Sequence, residues 1–148
     1  MIEFSINQPE NGKKYFKRVG AYAVIQNAEG LIAVAHVKTH YYLPGGGIDE
    51  GESPEDCLRR ECLEEIGAEV SVGENFACGN YFFYSTVHHT DMESVGCFYE
   101  CRLEKILDVE SESDHELVWI SMEQAISDLY LDNQKEAIRI FKGLHILS

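Results

Sequence analysis

Between Leu43 and Gly67 the chain reads Leu-Pro-Gly-Gly-Gly-Ile-Asp-Glu-Gly-Glu-Ser-Pro-Glu-Asp-Cys-Leu-Arg-Arg-Glu-Cys-Leu-Glu-Glu-Ile-Gly, and no other stretch constrains the fold so tightly. Ser53 as N-cap, Pro54 at the first helical position and Glu55 and Asp56 in the first turn mark a helix start. Gly67 marks its end. At about 100° per residue, with Cys57 set to zero, Glu61, Glu64 and Glu65 project at ~40°, ~340° and ~80°. Leu58, Cys62 and Ile66 fall at ~100°, ~140° and ~180°, an adjoining apolar stripe able to bury against a sheet. The acids therefore crowd the edge of the buried face. Glu61/Glu64 and Glu61/Glu65 are like-charge pairs that each cost about 0.2–0.5 kcal/mol. Arg59 and Arg60 project at ~200° and ~300°, outside the acidic arc. Two readings stay open at this point: an oxygen-ligand site for Mg²⁺ or Mn²⁺, or a solvated charged face.

The glycines do not make a known phosphate cradle. Gly46-x-x-x-x-Gly51-Glu52-Ser53 has P-loop spacing, but Glu52 stands where the phosphate-binding lysine belongs, which reverses the charge. Glu52, Glu55 and Asp56 already occupy the positive end of the helix dipole. An EF-hand fails because Gly46, Ile48 and Glu50 would fall on its ligand positions. What remains is a loop whose glycines allow tight turns and close backbone approach, bringing Glu52 beside the helix acids.

Charge narrows the partners. Twelve Lys and Arg against 26 Asp and Glu give a net charge of −14. That balance disfavours a nucleic-acid polymer and an anionic membrane surface. A phosphate-bearing substrate needs local positive charge here, from bases or metal ions. At 148 residues and 45% hydrophobic content, the chain suits a single domain over 1–148 with its own core. No apolar run is long enough to span a bilayer, and no leader stands at Met1. The five cysteines (Cys57, Cys62, Cys78, Cys97, Cys101) lack metal or redox spacing and read as small core residues in a reducing compartment, the cytoplasm.

Along the chain, the segment through Lys14 reads as an arm or loose edge. Val19–Gln26 and Leu31–Val37 read as strands of a hairpin turned by Asn27–Gly30. Lys38–Asp49 reads as a loop. Beyond the helix, Glu69–Val72, Phe76–Thr86, Val95–Leu103 and Glu116–Ile120 are strand-like. Ser121-Met122-Glu123-Gln124 is a capping box opening a helix to about Tyr130, and Asp132 caps a last one through about Lys142. The alternation predicts an α/β architecture, a mixed sheet with helices on both faces.

Gly46-x5-Glu52-x7-Arg60-Glu61-Cys62-x-Glu64-Glu65-x-Gly67-Ala68 resembles the Nudix box of the MutT-type hydrolases, from Gly46 through Ala68. Its fixed Gly, Glu and Arg positions are all present; Cys62 and Ala68 replace larger aliphatics. The resemblance implies an α/β/α sandwich and a metal-dependent pyrophosphohydrolase, with Mg²⁺ or Mn²⁺, cleaving a nucleoside diphosphate linked to another moiety by water attack at phosphorus. It implies Glu61, Glu64 and Glu65 as metal ligands, with Glu52 joining the shell directly or through water. It implies Glu61 and Glu64 as the catalytic carboxylates within the box, Glu61 being the base in some members. Gly46, Arg60 and Gly67 hold the box together, Arg60 by pairing with a box glutamate. A base outside the box also occurs in the family, and Glu116 stands at a suitable place for one.

For the substrate, the sequence offers Tyr81-Phe82-Phe83-Tyr84, which could stack a nucleobase or pack in a core. Tyr84 lies where dinucleoside-polyphosphate members carry a tyrosine. His40, Tyr41 and Tyr42 are further loop aromatics, and His88-His89 reads as a hairpin tip. The expected partner is a small nucleotide, for a monomer or homodimer. The alternative is a non-catalytic nucleotide-binding or sensing module on the same fold. A two-carboxylate glycosidase is disfavoured, because acids adjacent on one helix do not face each other across a cleft.

Overall fold

The computed structural model describes residues 1–107 and 114–146. In chain order the elements are β1 (Ile2–Ser5), β2 (Phe16–Ile25), β3 (Ile32–Val37), β4 (His40–Tyr42), β5 (Gly45–Gly47), α1 (Pro54–Ile66), β6 (Ala68–Ser85), β7 (Thr90–Ile106), β8 (His115–Ile120), α2 (Met122–Asp128) and α3 (Asp132–Ile146). A five-stranded sheet has the order β1-β6-β7-β2-β5 and a three-stranded one β4-β3-β8. The larger sheet is mixed: β1 runs parallel to β6 and β2 parallel to β7, while β6–β7 and β2–β5 are antiparallel. This is the expected α/β sandwich.

Alternation along β2 builds two cores. Ala21, Ala23 and Ile25 face α1, meeting Cys57, Leu58, Cys62 and Ile66, with Ala33 and Ala35 of β3 completing the layer. Val24 faces the other way, into a core of Phe98, Val34, Ile120, Leu129, Ile138 and Phe141 under α2 and α3. Small side chains under α1 let that helix approach closely. Larger ones fill the opposite layer.

Several expectations need correction. The start of the chain is not a loose arm. Ile2 to Ser5 pairs with Ala77 to Asn80, Phe4 stacks on Phe98 at 6.2 Å, and the Asn7 amide exchanges two hydrogen bonds with the Phe82 backbone at 2.8 and 2.9 Å. The β2–β3 turn forms as read, with Asn27 Oδ1 accepting from the Glu29 and Leu31 N–H groups and Gly30 at φ +84°. The hairpin does not extend. Only Gln26 pairs with Ile32, after which β2 joins a ten-residue ladder with β7 and β3 pairs with β8. Long non-local ladders outweigh one local turn.

The supposed loop Lys38–Asp49 contains both β4 and β5. Glycine carries little strand propensity, so Gly45–Gly47 could not be read as a strand; it pairs with β2 because the backbones meet closely. A Cβ on Gly45 would run into the Ala21 carbonyl oxygen. The two runs after α1 are one strand, β6, bent by irregularities around Val72–Ala77. Finally, Cys78 and Cys97 face each other across β6 and β7 and are joined as a disulfide, with their Cα atoms 4.1 Å apart. They lie 19 positions apart in the chain, so only the hairpin register reveals the pair. Cys57, Cys62 and Cys101 are buried free thiols, as expected.

Candidate active site

Helix α1 begins and ends where its caps require. Ser53 Oγ accepts from the Asp56 N–H at 3.1 Å, and Gly67 adopts φ +62° with its N–H on the Cys62 and Leu63 carbonyls. With both ends fixed, the rotational phase of the helix is fixed too. Cys57, Leu58, Cys62 and Ile66 go inward, and Glu65, 9% exposed, sits at the edge of the buried face.

The glycine strand lies against this acidic edge. A Cβ on Gly46 would stand 2.8 Å from Glu61 Oε1, so glycine at 46 is what leaves that carboxylate its seat. On the opposite face of β5, a Cβ on Gly47 would stand 2.6 Å from Arg18 Nε, so this glycine seats a guanidinium. Cys57 Sγ lies 3.5 Å from the Gly46 carbonyl oxygen, closing the gap between loop and helix. Burial pushes the Cys57 thiol up to about 11, which keeps it a neutral packing group.

Arg60 organises the carboxylates. The Cα geometry turns it away from the acidic arc, but the side chain reaches back across. Its Nε and Nη2 hold both oxygens of Glu52 at 2.8 and 3.0 Å. Its Nη1 donates to Glu61 Oε1 at 2.9 Å and lies 3.4 Å from Glu64 Oε2, while Nη2 is 3.4 Å from Asp49 Oδ2. This fork, with the Asp49 N–H donating to Glu52 Oε1 at 3.0 Å, holds the Glu52 carboxyl down to about 2. Arg60 is raised above its ordinary range by the same bonds. The acids are thus divided: Glu52 is fully engaged, whereas Glu61 and Glu64 each offer Arg60 one oxygen and keep the other.

The donor set suits a hard divalent cation. Glu61, Glu64 and Glu65 present oxygen only, on one helix face, with a glycine cradle beside Glu61. Among the described residues, no three His, Cys, Asp or Glu side chains already stand close enough to hold a metal ion. The fit is one of ligand chemistry and placement, and closure around an ion requires the glutamate side chains to turn from Arg60.

A cavity of about 440 Å³ opens beside Glu65 and Gly46 and runs between the two sheets toward the α2–α3 junction. Arg18 is the one Lys or Arg on its lining, and this exposed guanidinium makes no ion pair among the described residues. Tyr22 lies beside it, and desolvation of its hydroxyl raises that group to about 12. Tyr42 and Tyr130 also line the cavity, their rings 5.7 Å apart and edge to face, with His40 packed 4.0 Å from Tyr130.

The expected aromatics divide. Of Tyr81 to Tyr84 only Phe83 lines the cavity; Tyr81 stacks on it at 4.8 Å, Phe82 packs on Tyr15, and Tyr84 is exposed. His88 and His89 occupy the β6–β7 turn as read, yet His88 also lines the cavity. Glu116 is not brought to the carboxylates. It is exposed on β8 opposite His36, on the strand face shared by Val118 and Ile120, whereas Leu117 and Trp119 pack toward α1. The cavity residue from that strand is His115. The sequence reading missed Arg18, Tyr130 and Gln134; the alternation Arg18, Gly20, Tyr22 on one face of β2 was the only available signal.

The family model of the NUDIX domain matches residues 16–142. An RNA pyrophosphohydrolase of a Sulfurovum species is 60% identical over 37 residues, covering 23% of this chain and 24% of that protein. Another, from a Nitratiruptor species, is 40% identical over 62 residues, 38% of this chain and 40% of that one. The chain matches about a quarter to two-fifths of the length of these curated relatives. A NUDIX hydrolase from Nitrosomonas europaea superposes with a TM-score of 0.71 at 16% identity, covering 86% of this chain and 90% of that one, a likeness of fold. No helix among the described residues is long and apolar enough to cross a membrane. Matched from the start of β2 almost to the end of α3, across both sheets and the glycine loop with its acidic helix, the chain belongs to the NUDIX domain family.

Proposed function

We propose that this protein is a metal-dependent pyrophosphohydrolase acting on a small nucleotide, in which water attacks phosphorus and a phosphoanhydride P–O bond breaks. The observation that carries the reading is the set of Glu61, Glu64 and Glu65 at one edge of α1, with Glu65 and Gly46 on the wall of a cavity large enough for a nucleotide. Glu61, Glu64 and Glu65 would hold Mg²⁺ or Mn²⁺, which supplies charge neutralisation for the phosphates and a lowered pKa for bound water. Glu61 would accept the proton of the attacking water on the carboxylate oxygen not given to the ion. Glu52 keeps the loop on the helix through Arg60 and would support the ion from outside its direct ligands. Glu116, on the face of β8 opposite to the one that Leu117 and Trp119 turn toward α1, is not the base in this reading. Arg18 donates to a substrate phosphate, and Tyr42 and Tyr130 flank the nucleoside end.

The relatives named RNA pyrophosphohydrolases favour a second reading, removal of pyrophosphate from an RNA 5′ end. The charge of −14 disfavours contact with a long polyanion, so the small nucleotide leads. A cytoplasmic setting belongs to the same proposal; the three buried free thiols favour it, and the Cys78–Cys97 disulfide counts against it. Phosphate and pyrophosphate release with Mg²⁺ or Mn²⁺ is the test, over nucleoside triphosphates, sugar nucleotides, dinucleoside polyphosphates and a 5′-triphosphorylated RNA oligonucleotide. Metal-dependent release from a free nucleotide is the expected result. Tight nucleotide binding without release would instead make the protein a sensing module.

A further inference from the structure

Gln134, in the first turn of α3, is 1% exposed, lines the cavity, and is used on one side only. Its Oε1 accepts from the Leu43 N–H at 2.8 Å. Its Nε2 is buried with no hydrogen-bond partner. The orientation of this amide is not arbitrary, because the Leu43 N–H can only donate and so must face the oxygen. Two N–H donors are therefore fixed on the other side of the head, on a residue that lines the cavity. Leaving a buried donor unmade costs about 1–3 kcal/mol.

We infer that Gln134 is a specificity-determining residue that reads a 6-oxopurine, guanine or hypoxanthine, in the cavity. The inference rests on the reading above that the cavity takes a nucleotide. Glutamine pairs with adenine by using its oxygen and its nitrogen together, on the 6-amino group and N7. Here the oxygen is committed to Leu43, so adenine would set its 6-amino donor against a donor. The O6/N7 edge of guanine or hypoxanthine offers acceptors only, which match a head that can only donate. Tyr42 and Tyr130 on the same cavity supply the aromatic surface; stacking favours the larger purine ring over a pyrimidine. Because Nε2 lies beneath the cavity surface, a carbonyl oxygen reaches it only edge-on and with the side chains above it drawn aside.

The test is calorimetric binding of nucleoside 5′-monophosphates by the full chain: GMP, IMP, AMP, UMP and the monophosphate of purine riboside, which lacks a 6-substituent. Hydrolysis of GTP, ITP, ATP and UTP with Mg²⁺ is measured alongside. GMP and IMP should bind roughly tenfold or more tightly than AMP, the discrimination expected of one matched polar contact. Gln134→Met keeps the volume and removes the donor together with the acceptor of the Leu43 N–H; it should bring the ratio of GMP and IMP affinity to AMP affinity close to one. Should that variant fold poorly, the comparison of IMP with AMP in the wild-type protein decides alone, since the two differ only at position 6 and its tautomer. Equal affinity for IMP and AMP, a preference for UMP, or a Gln134→Met protein that keeps the gap overturns the inference. Turnover at equal kcat/KM for ITP and ATP overturns it and leaves the hydrolase reading standing. A GMP and IMP preference without any turnover does the reverse, and no binding of any monophosphate defeats both.

Discussion

The carboxylate edge and the cavity beside it are assembled in opposite ways. The first comes from one continuous segment, Gly45 to Gly67, in which caps, glycines and acids at fixed spacing place each group by local geometry. The second draws Arg18 from β2, Tyr42 from β4, Phe83 from β6 and Tyr130 and Gln134 from the α2–α3 junction, residues that meet only when both sheets have formed. The difference teaches where each kind of information sits. The chemistry of cleavage is local in the chain, and the choice of substrate is not.

Substitutions in each region sharpen or break that division. Glu64→Gln and Glu65→Gln should each lower kcat by about 10²–10⁴-fold, with native circular dichroism; full activity in both would remove the carboxylate edge from the chemistry. Gly46→Ala should cost roughly 10²-fold in kcat by displacing the Glu61 carboxylate, since small misplacements at a reacting centre carry effects of that order. Its melting temperature should barely move, because the group displaced is the tip of a flexible side chain. Arg18→Ala should raise KM about tenfold with kcat nearly constant, the behaviour of a contact made equally to substrate and transition state. Tyr130→Ala should raise KM by a few-fold through lost stacking. A fall in kcat from either cavity variant, with KM unchanged, would erase the distinction between the two regions.

Legibility follows the same line. Helix α1 was readable to the residue, because Ser53, Pro54 and Gly67 each satisfy a backbone requirement at its ends. The alternation of strand and helix was enough for the α/β architecture. What escaped was set by distant partners. The turn at Asn27 promised a hairpin, yet β2 found a better ladder on β7. Gly45–Gly47 carried no strand signal because its pairing depends on close backbone approach rather than on side chains. Helical projection alone turned Arg60 from the acids, since it fixes Cα directions but not where a long side chain ends; the resemblance placed it on a box glutamate, where it lies. Gln134 gave no sign in sequence, since its meaning comes from Leu43, 91 residues away.

The central claim is that the glutamates of α1 capture a divalent cation. Titrating the protein with Mn²⁺ while following the free-ion electron paramagnetic resonance signal tests it without reliance on turnover. The account predicts stoichiometric loss of that signal in the wild-type protein, displacement by Mg²⁺, and no loss in a Glu64→Gln/Glu65→Gln double variant. A free-ion signal undiminished by the wild-type protein, with or without nucleotide, would contradict it.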